Sequence, residues 1–200
     1  MPEISLTDFV DFVAKSGTPR LTHVRKIKGR GEYSPAEDFW RRLRKDVIEF
    51  HSSGQTNKGA LDATLVALSD PKKRSNYAAV LKTYKLFLGN KKIQWFQPVS
   101  VKWNSGGLIV RINPELGLIF NGVRHHVKLY FKVEAITKAK ADTILLLMEQ
   151  NLPNKQPDDS FCILDVRRGK LFGSSSPDPI ILPLLMGEAS AFSTIWTNLP

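Results

Sequence analysis

The 200-residue chain has one cysteine, Cys162, which excludes an internal disulfide and any cysteine-rich zinc site. That cysteine sits in the apolar run Phe161-Cys162-Ile163-Leu164, the setting of a buried, inert thiol rather than a nucleophile. No run of the roughly 18 apolar residues that span a bilayer stands out. The opening MPEISLTDFV has acids and no basic segment, so it does not read as a secretory leader. A cytoplasmic setting without a membrane partner is the resulting expectation. Chemistry-bearing motifs are missing as well. The four histidines show no HxxxH or HExxH spacing, and there is no GxSxG or phosphate-loop sequence. Gly29-Arg30-Gly31 lacks the third glycine of a dinucleotide loop. No cofactor, no metal and no catalytic residue is expected, and the balance leans away from an enzyme.

Positive charge is abundant. Twenty-nine Lys and Arg against 19 Asp and Glu give a net charge of +10. Phosphate-rich partners are the usual reason for such an excess, nucleic acid first. The surplus is uneven: residues 1–92 hold 18 basic against 10 acidic side chains (+8), and residues 93–200 hold 11 against 9 (+2). Arg25, Lys26, Lys28 and Arg30 come with no acid before Glu32 and lack a helical apolar stripe, so residues 20–30 read as a mobile basic loop suited to phosphates.

The best-determined stretch is 99–133. Asn121-Gly122 supplies the positive φ that a two-residue hairpin turn demands. It sets Phe120 opposite Val123, Leu118 opposite His125 and Leu116 opposite Val127. A three-residue turn at 113–115 would set Ile112 opposite Leu116, and a turn at 104–107 would set Trp103 opposite Leu108. All three turns place the apolar side chains on one face, with His125 the exception. The other face then carries Arg111, Arg124, His126, Lys128, Tyr130 and Lys132, together with Lys102. Such one-signed charge on a sheet face suits a polyanion, with Tyr130 available for stacking.

Around this meander, Ser5 starts a short helix and Ser34-Pro35-Ala36-Glu37 reads as the start of a longer one to about His51. Helices are also expected over Ala60–Ser69 and from Ser75 to Gly89. A possible strand covers Ile93–Phe96, and Thr137 caps a helix over 138–150 spaced to cover the apolar sheet face. A hairpin over 161–173 and one or two short helices over 180–198 complete the chain. The expected class is α+β: an N-terminal helical half packed with a C-terminal antiparallel β-meander (about 99–133) covered on one face by helices. It reads as a single domain over 1–200, in which 1–90 could form a helical lobe and 91–200 a lobe of sheet plus helices.

The order helix, antiparallel strands, helix, strand over about 35–166 resembles the core of the restriction-endonuclease-like, or PD-(D/E)XK, nucleases. In that family an acid ends one strand, and an acid and a lysine two residues apart sit on the next, holding Mg²⁺. Pro114-Glu115 matches the first acid. The positions two before Lys128 and Lys132 hold His126 and Tyr130, and Asp165-Val166-Arg167 has arginine for lysine. The resemblance therefore implies a copy without its catalytic set, or at most a metal-dependent nuclease around Glu115. The leading expectation is a non-catalytic nucleic-acid-binding protein that uses the 20–30 segment and the basic sheet face. A protein-interaction module remains a third option, with Phe192, Ile195 and Trp196 forming a homo-oligomer interface.

Overall fold

Ser5 closes one element and opens the next. Its backbone ends β1 (Glu3–Ser5), and its side chain accepts from the Asp8 N–H to cap α1 (Leu6–Val13). The computed structural model of the chain describes residues 1–30, 38–66, 68–153, 156–173 and 178–200. After α1 the stretch read as a basic loop is instead a helix, α2 (Thr18–Lys28). Pro19 suits its first turn, Val24 and Ile27 supply a two-residue buried stripe, and Gly29 follows its last residue. So narrow a stripe leaves most of the helix polar, which is why the sequence pattern hid it.

The proposed helix start at Ser34–Glu37 lies outside the described residues; beyond it runs α3 (Arg41–Ser52). A 3₁₀ turn (Lys58–Asp62) and a single turn α4 (Ala63–Val66) stand where one helix was expected. The next helix, α5 (Pro71–Leu88), begins four residues before the predicted cap. Asp70 caps it by accepting from the N–H groups of Lys72 and Lys73, and Pro71 occupies the first turn.

The strands follow: β2 (Gln94–Phe96), β3 (Val101–Ser105), β4 (Leu108–Ile112), β5 (Leu116–Phe120) and β6 (Val123–Tyr130). The Asn121-Gly122 turn has φ of 53° and 76°, and β5 pairs with β6 in the predicted register. In the preceding hairpin the turn is Gly106-Gly107, with φ of 53° and 78°, so Trp103 faces Val110 rather than Leu108. A shift of two residues keeps every side chain on its predicted face.

One expected pairing does not form. Ile112 and Leu116 are not partners, because β4 and β5 belong to different sheets. The smaller sheet has the order β1-β4-β3, with β1 parallel to β4. The larger has the order β2-β5-β6-β7-β8, where β7 is Ser160–Asp165 and β8 is Lys170–Gly173. Within it β6 and β7 are parallel, joined by α6 (Lys138–Asn151) under the predicted Thr137 cap, and the other pairs are antiparallel. Last comes α7 (Leu182–Asn198), one long helix after a 3₁₀ turn (Pro179–Ile181) where one or two short ones were expected; Pro183 lies in its first turn, where it costs no hydrogen bond.

The split meander feeds two cores. Leu108, Val110 and Ile112 pack with α1, α6 and α7, whereas Leu116, Leu118, Phe120, Val127 and Leu129 pack with α3 and α5. The opposite face of the larger sheet, through Tyr130, Phe161 and Ile163, meets α6. The 138–150 helix thus meets the predicted apolar face on β4, but on the larger sheet it covers the face opposite to the one predicted. A strand buried on both sides reads as continuous burial rather than alternation, as Phe161 through Val166 shows.

Phe192 is fully buried in the first core, and the half-buried Ile195 and Trp196 pack against that core. All three, which the sequence suggested for an oligomer surface, pack within the protomer, with Ile195 and Trp196 still partly exposed. Pro179–Asn198 is long and apolar enough, by length and composition, to cross a bilayer, with a mean hydropathy of 1.3, where no such stretch was expected. Here it is packed through Leu185, Ala189 and Phe192.

Candidate nucleic-acid interface

The residues expected to form one basic sheet face divide into two groups. His126, Lys128 and Tyr130 are buried: Asp159 and Phe161 lie against His126, Asn113 and Glu115 against Lys128, and Tyr130 belongs to the core shared with α6. Arg111 is exposed on the smaller sheet, and Arg124 and Lys132 are half-buried.

Lys128 and His126 each meet a carboxylate inside the fold. Lys128 Nζ donates to Glu115 Oε1 at 2.7 Å, to Asn113 O at 2.9 Å and to Asn113 Oδ1 at 3.1 Å, which uses all three of its protons. The other Glu115 oxygen accepts the Leu129 N–H at 2.8 Å. Lys128 and Glu115 side chains are only 8% and 7% exposed, so this is a closed interior pair. His126 lies between Phe96 and Phe161, with Nε2 2.9 Å from Asp159 Oδ2. Asp159 also accepts from Arg124 Nε at 3.1 Å and from the Gln156 N–H. Burial would raise the Asp159 carboxyl, but the hydrogen bonds from His126 and Gln156 hold it below the ordinary carboxylate range. Tyr130 is 6% exposed, and its hydroxyl has no hydrogen-bond partner among the described residues. A ring so enclosed cannot stack on a base.

His125 keeps its predicted face and is half-buried. It stacks on Phe120 with centroids 3.9 Å apart, its Nδ1 lies 3.6 Å from Cys162 Sγ, and burial lowers its pKa.

The exposed cations gather elsewhere. A cleft of about 950 Å³ opens where the two sheets part, lined by both sheets, by the end of α2 and by the entry to α3. Trp40, stacked on Phe131 at 5.1 Å and 21°, forms part of its wall. The lining carries six cations (Arg30, Arg44, Lys102, Arg111, Lys128, Lys132) against four acids (Glu3, Asp8, Asp38, Glu115), a difference of +2.

At the mouth, Lys102 and Arg111 are directly opposed on β3 and β4. Glu3 bridges them, with Oε2 2.8 Å from Lys102 Nζ and Oε1 3.6 Å from Arg111 Nε. The hydrogen bond from Lys102 holds the Glu3 carboxyl below its usual range. Arg30 reaches both oxygens of Asp8 at 3.0 Å. Deeper in, Lys132 contacts Asp11, which Lys140 also reaches at 3.0 Å; burial, then the Lys140 charge, depresses the Lys132 ammonium.

On the helices, Arg25 and Lys26 are exposed, and Lys28 donates to Trp196 O and Leu199 O at the end of α7. Sequence reasoning put Lys102 on the basic face without giving it a contact, and passed over Glu3, whose three-residue strand is too short to show a period. Arg44 and Asp38, 3.0 Å apart at the cleft, carry no sequence signal of proximity either.

Comparison with protein-family models, with curated proteins and with solved structures gives no match. The fold and the cleft therefore stand on their own geometry.

Proposed function

We propose that the chain binds nucleic acid, without catalysis, along the surface formed by α2, the cleft mouth and the start of α3. The observation that carries this reading is the placement of exposed charge. Arg25 and Lys26 on α2, and Arg41 and Lys45 on α3, are exposed with no acid in ion-pair contact among the described residues. Arg30, just past α2, and Arg44 on α3 line a cleft whose lining is itself positive. A phosphate backbone supplies repeated negative charge to such a surface, and the release of its counterions drives association. The contacts here are charged side chains without a matched set of base-edge donors and acceptors, which suits backbone binding rather than sequence readout.

Titration of labelled duplex DNA and single-stranded RNA over a range of salt tests this. Binding should fall with a log–log slope of about 0.9 per phosphate neutralised on a duplex. The quadruple change Arg25→Gln, Lys26→Gln, Arg41→Gln, Lys45→Gln should flatten that slope. Affinity insensitive to salt, or none at low salt, would overturn the reading.

A second reading, a metal-dependent nuclease around Glu115, draws on one observation. Glu115 precedes β5 and touches Lys128 on β6, within the stretch of about 35–166 whose order of helix, antiparallel strands, helix and strand resembles that of restriction-endonuclease-like nucleases. The residues present do not fit the Mg²⁺ that family holds. Both Glu115 oxygens and all three Lys128 protons are committed, and His126 and Tyr130 stand where an acid is required. No group of three or more His, Cys, Asp or Glu able to hold a metal ion occurs among the described residues. Incubation with DNA or RNA plus Mg²⁺ or Mn²⁺ should give no cleavage that Glu115→Ala abolishes.

A further inference from the structure

Lys102 and Arg111 face each other across β3 and β4, with side chains 58% and 51% exposed. Like charges directly opposed on neighbouring strands repel, so this arrangement needs an anion between them. The protein supplies one from outside the hairpin. β1, parallel to β4, brings the Glu3 carboxylate against both side chains. A single carboxylate spanning an ammonium and a guanidinium has the charge and the oxygen acceptors of one arm of a phosphodiester. It satisfies one unit of charge and leaves the other unmatched.

We propose that Lys102 and Arg111 form a phosphate-binding pair that Glu3 occupies when no ligand is present. Glu3 is then a built-in competitor for the polyanion. A backbone phosphate entering the cleft mouth displaces the carboxylate toward solvent, where its hydration costs little because it already lies at the surface. Arg30, which also lines the cleft, is held by Asp8 in the same guarded fashion. The Lys128–Glu115 pair borders the same cleft but differs in being almost wholly enclosed, its side chains only 8% and 7% exposed. The proposal rests on the nucleic-acid reading above for its ligand, while the chemistry it names is a phosphate group.

The guard makes a counterintuitive variant informative. Glu3→Gln should tighten binding of a labelled duplex by about threefold at low salt, the scale of an exposed ion pair. Lys102→Gln and Arg111→Gln should each weaken it by a similar factor and reduce the salt slope by about 0.9. Removing any acid adds net positive charge, so the deciding measurement is a double-mutant cycle. In a Lys102→Gln, Arg111→Gln background, Glu3→Gln should bring no gain. A gain that persists there reflects overall charge alone and overturns the proposal.

Inorganic pyrophosphate, followed through backbone amide chemical shifts of β3 and β4, separates the proposal from the reading on which it rests. If duplex and RNA fail to bind but pyrophosphate shifts these strands more tightly in Glu3→Gln, the phosphate pair stands and the nucleic-acid reading falls. If nucleic acid binds with a steep salt slope that no variant at residues 3, 102 or 111 alters, the pair is refuted and the reading stands.

Discussion

Lys128 and Lys102 both lie on the polar face of the 99–133 stretch, yet the fold gives them opposite roles. Lys128 is enclosed, with three acceptors for three protons and a carboxylate whose second oxygen accepts the Leu129 N–H. Lys102 stands at a cleft mouth, sharing one carboxylate with the arginine opposite it. The difference arises because β4 and β5 part company. The first hairpin joins β1 and turns its charged side toward the cleft, while the second enters a sheet that is covered on both faces. A basic side chain on a strand is therefore informative about partners only when the layer above that strand is known.

Breaking the interior pair should have the largest effect. Lys128→Ala or Glu115→Ala leaves a buried charge uncompensated and should cost about 3–5 kcal/mol in urea unfolding, with an unchanged m-value if the unfolding remains two-state. A cost under about 1 kcal/mol would mean that water reaches the pair and that it is not interior.

A buried neutral group sharpens the same contrast through pH. His51 is buried, 2.6 Å from the Tyr84 hydroxyl, and burial lowers its pKa to about 4 from an ordinary value of 6.5. Between those values the unfolded chain binds a proton that the folded one refuses, so stability falls as pH drops from about 6.5 to about 4 and is whole above that window. The loss at the acid end should approach about 3 kcal/mol. His51→Gln should flatten the pH dependence in this window, which unfolding series at several pH values would show.

The exposed cations should behave in the reverse manner. Lys102→Gln and Arg111→Gln should leave the thermal midpoint close to that of the parent while weakening nucleic-acid binding, because exposed ion pairs contribute little to folding. Tyr130→Phe should have the smallest effect of all. It removes a buried hydroxyl that lacks a partner, so stability should hold or rise slightly and binding should not change. A several-fold loss of binding in that variant would place Tyr130 in contact with ligand.

Local chemistry was legible where turns and caps dictate geometry. Asn121-Gly122 set the β5–β6 register, Gly169 sits at φ 63° in the predicted last hairpin, and Thr137 caps its helix as its position suggests. What could not be read is what covers what. Side-chain alternation assigns faces within a strand pair, but nothing between Ile112 and Leu116 marks the point where one sheet becomes two. Three residues at Glu3–Ser5 are too few for a period, yet they decide which carboxylate meets Lys102 and Arg111. α2 was missed for the related reason that its buried face is only Val24 and Ile27.

The division between interior and exterior basic residues can be tested in one experiment. Native protein would be acetylated briefly with and without a DNA duplex, and each lysine scored by peptide mass. The account predicts that Lys128 stays unmodified in both samples, while Lys26, Lys45 and Lys102 are modified in the free protein and shielded by the duplex. Modification of Lys128 in the free protein with shielding on binding, or a Lys102 indifferent to the duplex, would contradict it.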